Sequence, residues 1–107
     1  MAGAGDFLEQ VRGAAGKRLL FLPHAVARML QPDRMIDVRE VHEVVETGDI
    51  IEDYPEDSRG HSCLMMARCA TGRVVHVVCS PKADYLAIIS AYVPSPARWH
   101  TDYRTRR

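Results

Sequence analysis

A histidine and an arginine stand four residues apart in Leu22-Pro23-His24-Ala25-Val26-Ala27-Arg28-Met29-Leu30. On a helix that spacing puts His24 and Arg28 on one face, one turn apart. Two adjacent cationic hydrogen-bonding groups can recognise or help to cleave a phosphate, and they can equally dock as a structural pair on a carboxylate. At least one of them is expected to meet a partner from the strands or the C-terminal tail. His76 and Tyr92 are the other candidates for proton chemistry. In residues 98–107, Arg98, Arg104, Arg106 and Arg107 surround Trp99 and Tyr103. Were that run a short helix, Trp99 and Tyr103 would share a face. Bases stack on aromatic rings while arginines neutralise phosphates, so the run is a candidate platform for single-stranded RNA. The simpler alternative is that Trp99 folds back to cap a sheet.

Other chemistries find little support. No Cys-x-x-Cys, His-x-x-x-His or His-Glu-x-x-His spacing occurs, and Cys63 and Cys69 are too far apart along one strand to chelate together, so no metal site is expected. The chain carries no glycine-rich phosphate loop, serine elbow or nucleotide fingerprint, and no cofactor is expected. His42, His61 and His100 read as surface residues.

With 107 residues, 47% of them apolar and 26% charged, the chain reads as one small domain over residues 1–107. No apolar run approaches the roughly 20 residues of a membrane span, and residues 1–5 read as a flexible N-terminus with no signal-peptide character. Three cysteines in apolar, strand-like runs suit buried free thiols and a reducing cytoplasm. The net charge of zero hides an acidic middle, with nine carboxylates between Asp37 and Asp57 against Arg39 alone, and a basic end.

The elements that must position these residues follow from periodicity. Phe7, Leu8, Val11, Ala14 and Ala15 predict a helix over residues 6–15. Residues 18–22 read as an apolar link, and Pro23 starts a second helix running to about Leu30 with Val26, Met29 and Leu30 inward. Asp37 and Glu40 have capping-box spacing, Ile36 and Val41 occupy the staple positions, and Gly48 is the expected stop. Val38, Val41, Val44 and Val45 form the buried stripe of this third helix. Strands are predicted over 50–54, 62–70, 73–80 and 85–93. Their short connections imply a four-stranded antiparallel meander, and the whole is an α+β fold with three helices on one face of the sheet.

Turn lengths predict a register. A two-residue loop at Thr71-Gly72 sets Ala67 opposite His76 and Met65 opposite Val78, and a four-residue turn over 81–84 sets Ile89 beside His76 and Ala87 beside Val78. The core face then carries Leu64, Met66, Val75, Val77, Cys79, Leu86 and Ile88. The other carries Met65, Ala67, Val74, His76, Ala87, Ile89 and Ala91. In this register His76 and Tyr92 lie on opposite faces, which argues against one site containing both.

Taken in order, His24-Ala25 with Arg28, Val41 to Gly48 running into Ile50-Ile51-Glu52-Asp53-Tyr54-Pro55, Val75-His76-Val77-Val78, Ala91-Tyr92-Val93-Pro94-Ser95-Pro96 and Trp99 form a pattern. It resembles the family catalogued as domain of unknown function 4258, over residues 20–107. The family implies no settled activity. At fold level it is similar to the small α+β toxins of the RelE and BrnT kind, which cleave mRNA and are held by antitoxins; this is an analogy between folds.

Metal-free RNA cleavage needs a proton acceptor, a proton donor and cations for the phosphorane charge. His24, Arg28, His76 and Tyr92 are the candidate catalytic residues, and Arg98, Trp99, Tyr103, Arg104, Arg106 and Arg107 the candidate RNA-binding ones. The expected function is a toxin-type ribonuclease domain with RNA and an antitoxin protein as partners. The alternative is a non-catalytic protein-interaction module. The acidic stretch separates them: far from the histidines it favours the first, and rimming them it favours the second.

Overall fold

The computed structural model describes residues 4–32 and 34–107. Its elements run α1 (Ala4–Lys17), β1 (Leu19–Phe21), α2 (Pro23–Met29), α3 (Val38–Thr47), β2 (Asp49–Tyr54), β3 (Ser62–Arg68), β4 (Val74–Pro81) and β5 (Leu86–Tyr92). Residues 1–3 of the N-terminus expected to be flexible lie outside the described residues, and Ala4 and Gly5 already belong to α1. No described helix is long and apolar enough to cross a membrane.

The α+β architecture has three helices and one five-stranded mixed sheet, in the order β1-β5-β4-β3-β2. Strands β2 to β5 form the antiparallel meander. The fifth strand corrects the expectation of an apolar link. Leu19 and Phe21 pair in parallel with Leu86 and Ile88, and the Leu22 N–H extends the ladder to the Ile88 carbonyl. Three residues are too few to show a period, while pairing with β5 satisfies their backbone polar groups.

Helix α1 buries Phe7, Val11 and Ala14, spaced by four and three. Helix α2 buries Ala25 and Met29 instead of the expected Val26, Met29 and Leu30. Val26 and Leu30 are 40% and 59% exposed, because the small Ala25 is the residue turned into the core as α2 lies along β5. Helix α3 has the capping box: Asp37 accepts from the Arg39 N–H at 2.8 Å and Glu40 accepts from the Asp37 N–H at 3.0 Å. Ile36, Val41, Val44 and Val45 are buried, but Val38, expected in the stripe, stands at the rim of an apolar groove with Val26 and Leu30. Gly48 ends α3 as expected, in extended backbone; a Cβ there would lie 2.4 Å from the Val44 carbonyl oxygen and 2.5 Å from that of Met66.

The two hairpins depart from the predicted register, and this decides where His76 sits. At the β3–β4 turn the Gly72 N–H bonds to the Cys69 carbonyl and the Cys69 N–H to the Arg73 carbonyl, so the loop holds three residues. Gly72, at φ +94°, supplies the left-handed position that such a loop needs. The pairing slips by one: Met66 faces His76 and Leu64 faces Val78. A one-residue slip turns a strand over. Cys63, Met65 and Ala67 therefore join Val75, Val77 and Cys79 in the core under the helices, while Leu64 and Met66 lie on the far side.

At the next turn the four-residue loop lies over 82–85 instead of 81–84, so Pro81 pairs with Leu86 and the register moves by two, and an irregularity between Val78 and Cys79 moves it by one more. His76 thus lies opposite Tyr92, not beside Ile89, and Val78 lies opposite Ser90, not Ala87. The expectation that the sheet separates His76 from Tyr92 is overturned. Ala91 passes to the helix side, whereas His76 and Tyr92 share the other face.

Candidate functional site

His76 is wholly buried on that second face. Its Nε2 lies 2.7 Å from the Tyr103 carbonyl oxygen, its Nδ1 lies 3.3 Å from Tyr92 Oη, and the Trp99 ring stands edge-on at 4.5 Å. A carbonyl only accepts, so Nε2 carries the proton and Nδ1 is left as an acceptor for the Tyr92 hydroxyl. Burial pulls the imidazole down to about 4, so it is neutral near physiological pH. Burial also raises the Tyr92 phenol, which keeps its proton.

Residues 98–107 form a turn-rich tail and not a helix. The Arg107 N–H bonds to the Arg98 carbonyl at 2.9 Å, and Trp99 bridges to Arg106, which closes the tail into a loop. Tyr103 is at φ +56°, an uncommon position for a bulky residue, and presents its carbonyl to His76. Trp99, only 2% exposed, caps the sheet over His76. The shared aromatic face of Trp99 and Tyr103 does not form.

Two carboxylates of β2 tether this tail. Glu52 accepts from Arg106 Nε at 2.8 Å and Nη2 at 3.0 Å, and also from the Tyr54 hydroxyl. Arg106 holds the Glu52 carboxyl below the usual carboxylate range. Arg104 pairs with Asp49, and Arg107 Nε donates to the carbonyls of Pro96 and Trp99. The acidic stretch therefore does rim His76 through Glu52, a point in favour of an interaction module. It also meets His61 through Asp53 at 2.5 Å and His42 through Glu46 at 3.8 Å, while the buried Glu40, bonded to Arg73 and Thr71, and Asp57, bonded to Arg59 and Ser62, are spent internally.

Between α2, the end of β5 and this tail opens a cleft of about 340 Å³ lined by Arg28, Arg34, Arg98 and Arg106 together with Tyr92, Val93, Ser95 and Trp99. Among the described residues, none of the lining is a carboxylate. Arg28 lies over the Tyr92 ring with its guanidinium carbon 5.0 Å from the centroid, so the helix pair does find a strand partner. Arg106 lies 4.6 Å over Trp99 in the same manner. Arg34 Nη1 donates to the Val93 carbonyl at 3.3 Å, and Arg98 is exposed.

The sequence candidates thus divide. Arg28, Tyr92, Arg98, Trp99 and Arg106 come together at the cleft, and His76 lies behind Tyr92. His24 is exposed, one turn before Arg28, and its side chain makes no hydrogen bond or ion pair among the described residues. Arg104 and Arg107 point to other partners. Arg34 was not among the candidates: it follows Pro32 in a turn, with no periodic neighbour to mark it. The Tyr103 carbonyl, a backbone group, has no signature at all.

Among known proteins, the family described as Domain of unknown function (DUF4258) matches residues 21–93, well over half of the chain. The match contains α2 and β5 but ends before the tail that supplies Arg98, Trp99 and Arg106. No curated protein and no solved structure matches the chain.

Proposed function

The chain belongs to the domain of unknown function 4258 family, and we propose that this member of it binds RNA in the cleft lined by Arg28, Arg34, Arg98 and Arg106. One observation carries the reading: four guanidinium groups converge on one concavity with no carboxylate among its described lining residues, in a chain whose net charge is zero. The carboxylate tied to Arg106, that of Glu52, stands outside that lining. Arginine is a donor only, and its planar fork matches two phosphate oxygens. A surface formed merely by solvated charge would mix signs. The π-faces of Tyr92 and Trp99, already covered by Arg28 and Arg106, hold those guanidiniums in place.

Cleavage extends the same reading towards a toxin-type ribonuclease of the RelE and BrnT kind, by an analogy drawn from the sequence alone. In that chemistry Arg28 and Arg98 offset the phosphorane charge, and His24, exposed and one turn from Arg28 on the same helix face, exchanges protons. His76, buried and neutral, orients Tyr92. An antitoxin protein would be the natural partner of such a domain.

A labelled single-stranded oligoribonucleotide, titrated in EDTA and then run on a denaturing gel, tests both parts. Arg28→Ala and Arg98→Ala should each weaken binding about tenfold, equivalent to about 1.4 kcal/mol. Arg39→Ala, on the exposed surface of α3, should change nothing. His24→Ala should leave binding intact and remove cleavage. Equal affinities for parent, Arg28→Ala and Arg98→Ala would overturn the assignment of the cleft.

The non-catalytic interaction module has its own supporting observation. Phe21, Val26, Met29, Leu30, Ile36 and Val38 line an apolar groove between α2 and α3, with Leu30 59% exposed. Grouped apolar exposure of this kind suits a protein partner. If a small protein encoded beside this gene copurifies with the chain, Leu30→Glu should release it while RNA binding persists.

A further inference from the structure

We propose that Tyr92, oriented by His76, reads the 2′-hydroxyl of a nucleic acid bound in the arginine cleft and so makes the site select RNA over DNA. The inference rests on the cleft binding a phosphodiester, and it names the group that would recognise the sugar.

The Tyr103 carbonyl can only accept, so the 2.7 Å contact fixes the His76 proton on Nε2. The buried ring is neutral, which leaves Nδ1 as a bare acceptor. Tyr92 Oη, 3.3 Å from Nδ1, is its hydrogen-bond partner there, and the phenol has a single proton to give. That proton is turned inward, so all that the oxygen of Tyr92, a residue of the cleft lining, keeps for a ligand is lone pairs. The guanidiniums of the lining are the reverse in kind, N–H donors with no acceptor, although Arg106 gives Nε and Nη2 to Glu52 and Arg34 gives Nη1 to the Val93 carbonyl.

A ligand that satisfies this wall is an anion with a hydroxyl donor close beside it. A phosphodiester on ribose has both, because the 2′-hydroxyl can donate to Tyr92 while phosphate oxygens accept from the arginines. Deoxyribose leaves the Tyr92 lone pairs without a donor, and a 2′-O-methyl group also lacks the proton. The uncommon backbone at Tyr103 belongs to the same device. A left-handed conformation in a bulky residue persists where its surroundings hold it, and here the carbonyl that results is the one that sets the His76 tautomer.

The test compares one sequence as RNA, as DNA and as 2′-O-methyl RNA, titrated against the full chain and its Tyr92→Phe variant. The phenyl ring keeps the seat for Arg28, and the native fluorescence of Trp99 reports whether the tail stays docked. The parent should bind RNA about tenfold more tightly than either other strand. Tyr92→Phe should lower RNA affinity to the DNA level and leave DNA affinity unchanged. Equal binding of the three strands by the parent, or discrimination retained in Tyr92→Phe, overturns this inference and leaves the cleft's phosphodiester reading standing. Failure of all three strands to bind overturns that reading and this inference together.

Discussion

His76 and Tyr92 stand opposite one another on neighbouring antiparallel strands, with Tyr92 Oη 3.3 Å from His76 Nδ1. The pair joins the two sides of the molecule's second face. His76 receives the tail from above through the Tyr103 carbonyl and Trp99, and Tyr92 carries Arg28 at the edge of the cleft. A buried neutral imidazole is thus the hub between a structural contact and a surface of concentrated positive charge.

That hub gives the fold a pH signature. His76 is pulled down to about 4 from the ordinary 6.5, so between those values the unfolded chain binds the extra proton and the folded one does not. Stability should therefore fall as pH drops from about 6.5 towards 4, by on the order of 1–3 kcal/mol. Glu40, held at about 2 chiefly by Arg73, adds a second loss as pH falls from 4.5 towards 2. Urea melts across this range check both, and a His76→Gln variant should lack the first loss and keep the second.

The third helix offers a test of packing. Val41 is wholly buried among the residues between α3 and the sheet. Val41→Asp puts an unpaired carboxylate there, a loss of several kcal/mol against a total stability of roughly 5–15. Thermal melting should show the variant unfolded or melting far below the parent. Val38→Asp, at a residue 48% exposed, should melt within a few degrees of it.

Apolar burial and not the ion pair should hold the tail. Arg106 and Glu52 form a two-point pair, but their side chains are 54% and 23% exposed, and exposed pairs are worth roughly 0–1 kcal/mol. Trp99 is 2% exposed, and truncating a buried tryptophan costs about 3–5 kcal/mol. Trp99→Ala should therefore destabilise the protein several times more than Glu52→Gln in denaturant melts. The reverse order would mean that charge holds the tail.

Much of this fold could be read along the chain, because its signals are local. The Asp37–Glu40 box, the Gly48 stop and the strand-like runs between short turns each lie within a few residues. What escaped was decided at longer range or by one turn. β1 exists because β5 has an edge to pair with, and the count of loop residues at Gly72 flips β3 and brings Leu64 and Met66 to the far face. The displaced turn over 82–85 and a one-residue shift between Val78 and Cys79 together bring His76 opposite Tyr92. The residue types of the candidate site were visible in sequence, but their grouping depended on that register. Arg34, in a turn, and the Tyr103 carbonyl, in the backbone, had no pattern to betray them.

The salt dependence of RNA affinity reports whether the arginine cleft holds phosphate. Each neutralised phosphate on a single strand contributes about −0.7 to the slope of log K against log salt. Engagement of about three phosphates by the arginine cleft predicts a slope of about −2, and Arg28→Ala with Arg98→Ala should flatten it by about 1.4. Contradiction would come from affinity indifferent to salt, or from a double variant whose slope matches the parent's.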